Sequence, residues 1–76
     1  MTDDEVAAVI RSLAAGRDGT LCPSEVARAL AEDWRPLMPR VRAVAAGLPD
    51  VRATQKGVEV DAVAARGPIR LELVRD

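Results

Sequence analysis

The chain has no histidine, no tyrosine and no phenylalanine, and one cysteine among its 76 residues. Without histidine it lacks the commonest general base at neutral pH and the commonest metal ligand. Cys22 alone can support neither a disulfide framework nor a thiolate metal cluster. No apolar run approaches the roughly 18 residues that span a bilayer. The opening Met1-Thr2-Asp3-Asp4-Glu5 is acidic, which argues against a secretory signal. Gly16, Gly19, Gly47, Gly57 and Gly67 are scattered as turn glycines, so no phosphate-cradling loop is present. These absences predict a cytoplasmic protein with no membrane association, no metal and no cofactor.

What is present reads as globular. Apolar residues make up 49% of the chain and charged residues 30%, outside the disordered range. The length allows one domain, residues 1–76, because a second core has no room. The net charge of −1 hides an asymmetry. Residues 1–33 carry three basic against seven acidic groups, and residues 34–76 carry eight against five. Such a split can mark a face for an anionic partner, although a solvated surface is the commoner meaning. Lys56 is the only lysine, and the bias toward arginine and alanine looks like GC-rich coding. The arginine count alone therefore does not argue for phosphate binding.

Periodicity then places the elements. Thr2 and Glu5 have capping-box spacing. Val6, Val9, Ile10 and Leu13 form one helical stripe, and Gly16 supplies a stop, giving a helix over about 3–15. Arg17-Asp18-Gly19 is a turn, and Thr20-Leu21 could be a very short strand. Pro23 suits a first helical turn and Glu25 favours the helix dipole, so a second helix runs over about 23–32. Pro36 and Pro39 can both sit in a first turn, and a third helix over about 36–46 follows, closed by Gly47 and Pro49. Projection puts Arg35, Pro39, Arg42 and Ala46 on its solvent side, with Arg40 on the flank. After Pro49 the alternation becomes strand-like at 51–55. Lys56-Gly57 is a turn or bulge, and Val58 and Val60 extend or restart the strand. Residues 61–68 form a loop before a last strand from Ile69.

Helix, short strand, two helices, strand, loop and strand describe an α+β winged helix-turn-helix: three helices plus a small antiparallel β-hairpin or wing. The expected core is Val6, Ile10, Leu13, Val26, Leu30, Trp34, Leu37, Val41, Val44, Leu48, Ile69 and Leu71. Trp34, the only large aromatic, plugs the junction of the second and third helices.

Five blocks carry a family resemblance: Cys22-Pro23-Ser24-Glu25-Val26-Ala27-Arg28-Ala29-Leu30; Trp34-Arg35-Pro36-Leu37-Met38-Pro39-Arg40-Val41-Arg42; Thr54-Gln55-Lys56-Gly57; Val60-Asp61; and Arg66-Gly67-Pro68-Ile69-Arg70-Leu71. Together they resemble the signature of DUF3253, a small bacterial family of unknown function. The resemblance covers nearly the whole chain and implies a winged-helix fold with no established activity.

The candidate sites each have a plainer reading. Cys22 precedes a helix N-terminus, where a thiolate is stabilised, yet no histidine can activate it and packing is the commoner role. Glu25 reads as a dipole partner and Asp61 as a turn residue. Glu32, Asp33 and Glu59 have no spacing that specifies a catalytic pair. With no nucleophile–base set, an enzyme is not expected. The basic residues remain. In a winged helix the second helix of the helix-turn-helix enters the major groove, here presenting Arg35, Arg40 and Arg42. The wing offers Lys56 and Arg66, with Arg52 and Arg70 on the strands. Arginine reads guanine and pairs with phosphate. Against this stand a pI of about 5.4 and a helix face with no Asn, Gln or Ser. Two readings stay open: a double-stranded DNA-binding regulator, or an adaptor that binds a protein partner or a second copy of itself. Clustering of Arg35, Arg42, Lys56 and Arg66 favours the first. Internal neutralisation by Glu32, Asp33 or Glu59, with Pro36, Leu37, Met38 and Pro39 as an exposed contact patch, favours the second.

Overall fold

The first helix, α1 (Asp3–Ala15), begins at its cap. Thr2 is in extended backbone, and its Oγ1 accepts the Glu5 N–H at 3.2 Å. That bond satisfies one of the amides for which the first turn has no carbonyl. Asp3, Asp4 and Glu5 fill the same turn, where negative charge meets the positive end of the helix dipole. Val6, Ala7, Ile10 and Ala14 form the buried stripe. The structure, a computed structural model, describes residues 1–74.

Helix α2 (Pro23–Leu30) also starts on a cap. Glu25 reaches back and accepts the Cys22 N–H at 2.9 Å. The helix ends at Leu30, earlier than the expected 32, because Ala31 is extended at φ −156° and ψ 151°. Continuing through Glu32 and Asp33 would put two carboxylates at the negative end of the dipole.

The expected helix over 36–46 divides in two. A 3₁₀ turn at Arg35–Leu37 leads into α3 (Met38–Ala46). Pro39 has no N–H to give to the Arg35 carbonyl, so an α-helix running on from residue 36 would lack that bond. The tighter turn closes instead through Leu37 N–H to the Trp34 carbonyl at 2.9 Å and Met38 N–H to the Arg35 carbonyl.

The strands are β1 (Val51–Gln55), β2 (Val58–Val60) and β3 (Arg70–Leu73), in the antiparallel order β2-β1-β3. Lys56 at φ 52° and Gly57 at φ 81° make the β1–β2 turn. Two left-handed residues match the twist of a tight hairpin. Gln55 pairs with Val58 across it, and Ala53 pairs with Leu71 on the other side. The short strand expected at Thr20-Leu21 is a single bridge, in which Leu21 exchanges two 2.8 Å hydrogen bonds with Leu71. Between β2 and β3, Asp61 organises the loop. Its Oδ1 accepts the Val63 and Ala64 N–H groups at 2.8 and 3.0 Å.

The core is drawn from the three helices, β3 and the segments before α2 and β3: Val6, Ile10, Leu21, Val26, Val41, Ile69 and Leu71 are wholly or almost wholly buried. Leu13, Leu30, Trp34, Leu37, Val44 and Leu48, expected inside, are half-buried around it. Leu21 and the alanines 7, 14, 27, 45, 53 and 62 take the interior in their place. With no phenylalanine or tyrosine to fill a gap, the elements close on small side chains. The result is an α+β fold of three helices and a three-stranded antiparallel sheet, consistent with a winged helix-turn-helix. Among the described residues no helix is long and apolar enough to cross a membrane.

Candidate nucleic-acid interface

The basic residues singled out in the sequence meet different fates. Arg40 is held against α1, with Nε 3.1 Å from Asp3 Oδ1 and Nη2 donating to the Met1 carbonyl at 2.9 Å. Arg52 lies opposite Glu72 in the β1–β3 register and grips its Oε1 through both Nε and Nη2. That hydrogen bond, followed by the charge of Glu72, raises the Arg52 pKa further. The charges of Arg40 and Arg52 are thus answered within the domain.

Arg42 departs from the helical projection. It is half-buried rather than on the solvent side. Its Nη2 donates to the Gly67 carbonyl at 2.7 Å, and its Nε is buried without an acceptor. The cause is the loop before β3, which folds over this flank of α3. Gln55, at the end of β1, grips the same loop by donating to the Arg66 and Pro68 carbonyls. Gly67 sits between them at φ 82°, a conformation in which a Cβ is strained. Arg66 is therefore held between the Arg42 contact and the tip of β1, and both it and Lys56 are exposed.

Arg35 is exposed and lies over the Trp34 ring, its guanidinium carbon 4.7 Å from the centroid. Arg28 does the same at 4.5 Å. Trp34, Arg42 and Gly67 in turn line one cleft of about 640 Å³. Arg35 thus stacks on Trp34, Trp34 and Arg42 line the same cleft, Arg42 holds the loop at Gly67, and Gln55 ties Arg66 of that loop to the strand end beside Lys56. Among the described residues the ion pairs are Arg11–Asp50, Arg17–Glu25, Arg40–Asp3 and Arg52–Glu72. None engages Arg35, Arg42, Lys56 or Arg66, and none uses Glu32, Asp33 or Glu59. Arg70 stands apart, bonded to the Thr20 hydroxyl and carbonyl.

The arrangement suits phosphate better than base edges. The exposed positions of α3 include Pro39, Ala43 and Ala46, which have no side-chain donor or acceptor, and a proline occupies its first turn. Sequence reasoning missed Arg28, which has no spacing signal to Trp34, and Gln55, whose role depends on where a distant loop returns. Of the proposed apolar patch, Pro36 and Pro39 are exposed while Leu37 and Met38 are half-buried.

The other candidates are local. Cys22 is half-buried at the cleft, and its Sγ accepts the Ser24 hydroxyl at 3.0 Å. The Cys22 N–H, then the Arg17 guanidinium, hold the Glu25 carboxyl below its usual pKa. The N–H groups of Ala64 and Val63 lower Asp61 in the same way. Among the described residues no three His, Cys, Asp or Glu side chains gather as a metal site.

The fold is that of a small α+β domain, consistent with a winged helix, in which Arg35, Arg42, Lys56 and Arg66 have no ion-pair partner among the described residues. The chain belongs to DUF3253, a family of proteins of unknown function, whose profile matches residues 3–74. No curated protein matches the chain.

Proposed function

We propose that the domain is a non-catalytic, cytoplasmic DNA-binding module that holds the duplex by its phosphates through α3 and the wing. One observation carries the reading: among the described residues Arg35, Arg42, Lys56 and Arg66 form no ion pair, while Arg40 and Arg52 are matched to Asp3 and Glu72. Unanswered cations on a continuous surface are what counterion release requires. Arg35 lies in the 3₁₀ turn that leads into α3 and Arg42 in the middle of α3, the helix that meets the groove in this class. Arg66 and Lys56 are on the loop and hairpin that would flank it. The bare outer face of α3 makes the binding sequence-tolerant.

The test is fluorescence anisotropy of a labelled random-sequence duplex, titrated at several salt concentrations. The expected result is measurable affinity at low salt that falls steeply as salt rises. Absence of binding at low salt rejects the reading. An adaptor role is then the better account, supported by exposed Pro36 and Pro39 beside half-buried Leu37 and Met38 and by the acidic pI of about 5.4.

A further inference from the structure

We propose that the cleft between the start of α2, Trp34, α3 and the loop before β3 is a binding site for a small carboxylic acid with an apolar body. The cleft has a volume of about 640 Å³, within the range of small-molecule sites. Pro23, Met38, Val63, Pro68 and Ile69 supply apolar walls, and Trp34 forms part of the rim. Among the described residues no aspartate or glutamate lines it, and the one charged group on its wall is Arg42.

Arg42 is what selects the ligand. Its guanidinium is half-buried, spends Nη2 on the Gly67 carbonyl and leaves Nε with no acceptor. It forms no ion pair among the described residues. A buried donor without a partner carries a desolvation cost, and a charged one carries more. A carboxylate can take two parallel N–H bonds from one guanidinium. A small turn of the Arg42 side chain toward the cleft would bring Nε and an Nη to such a ligand, answering both the missing acceptor and the charge. Arg28 and Arg35, stacked on Trp34, add positive potential near the mouth. An apolar body would take its place against Met38, Val63 and Ile69. A neutral apolar molecule would fill the same walls and leave Arg42 as it is, so the carboxylate is the specific part of the proposal. The site stands on its own geometry and does not depend on DNA binding.

Trp34 is the only tryptophan and lines the cleft, so its fluorescence reports occupancy directly. The experiment titrates the full chain with 4-phenylbutyrate and, in parallel, with the neutral 4-phenylbutan-1-ol. The expected result is saturable change in Trp34 emission, with the acid binding about tenfold more tightly than the alcohol, the size of one charge-assisted bond. In Arg42→Met the preference disappears while the alcohol still binds. In Arg42→Lys, which keeps the charge but loses the planar fork, part of the preference remains. Equal affinities for acid and alcohol in the unmodified protein overturn the proposal, and so does the absence of saturable binding by the acid. That comparison needs no substitution, so it decides even if the Arg42 variants fail to fold. A preference that survives in a folded Arg42→Met also overturns it.

Discussion

The two sides of this domain use the same residue type for opposite purposes. On the side built by α1, the α3–β1 turn and the β1–β3 pair, arginines are matched to carboxylates: Arg11 to Asp50, Arg40 to Asp3, Arg52 to Glu72. Arg11 is a two-point contact, with Nε and Nη2 at 2.8 and 2.9 Å from the two carboxylate oxygens. It raises the Arg11 pKa and lowers that of Asp50. On the side built by Trp34, the start of α3, the hairpin turn and the loop before β3, cations meet a ring, a carbonyl or solvent. Arginine content therefore says little about anion binding here. What separates the two sets is whether the fold brings a carboxylate to the arginine.

The largest effect should come from removing the scaffold both sides share. Leu71 is fully buried, pairs with Ala53 in β1 and bridges Leu21. Leu71→Ala should cost about 2–5 kcal/mol. That is a large share for a small domain, whose total is about 0.05–0.15 kcal/mol per residue. Chemical denaturation should show a much lower midpoint, and DNA binding and cleft occupancy should fail together.

The next largest effect should separate the sides. Arg35→Ala with Arg42→Ala should weaken duplex binding at low salt by about tenfold or more, since each removed phosphate contact takes away a share of counterion release. Arg40→Ala with Arg52→Ala should leave affinity within about twofold, because those charges are already answered. Anisotropy on variants shown to be folded by circular dichroism checks both.

A smaller effect tests the α2 cap. Glu25 titrates below its ordinary 4.5 because it accepts the Cys22 N–H and pairs with Arg17. A carboxyl whose folded pKa is depressed adds stability above its unfolded pKa and loses it as pH falls through the folded value. The loss therefore lies at acid pH, from about 4.5 downward. Glu25→Gln should cost up to about 1 kcal/mol at neutral pH and flatten that part of the stability–pH curve. Thermal melts of the two proteins from pH 7 to pH 3 measure it. The smallest effect belongs to Arg11→Ala on the matched side. An exposed pair of this kind contributes little, and added salt should shrink the difference further.

The fold was largely legible in the sequence where a local signal exists. Thr2 and Glu5 announced the start of α1 and Gly16 its end, while Lys56-Gly57 left a turn and a bulge open, and the structure makes it the turn of a hairpin. The departures come from features without such a signal. Ala31 turns extended because of the acids that follow it. Pro39 splits the third helix by removing one donor. Leu21, a single residue between a turn and a proline, becomes a core centre only because β3 returns beside it. The candidate site was half legible. Arg35, Lys56 and Arg66 sit exposed as expected, but helical projection cannot foresee that a loop some 25 residues on will cover Arg42. Nor can it foresee that Asp3 and Glu72 will claim Arg40 and Arg52.

The most direct test of the central claim is the salt dependence of duplex affinity in the unmodified protein and the two double variants. The account predicts that the slope of log affinity against log salt drops by about 0.9 for each phosphate-contacting cation removed. Arg35→Ala/Arg42→Ala should therefore be shallower, and Arg40→Ala/Arg52→Ala should match the unmodified protein. Equal slopes in all three, or a shallower slope only when Arg40 and Arg52 are removed, would contradict it.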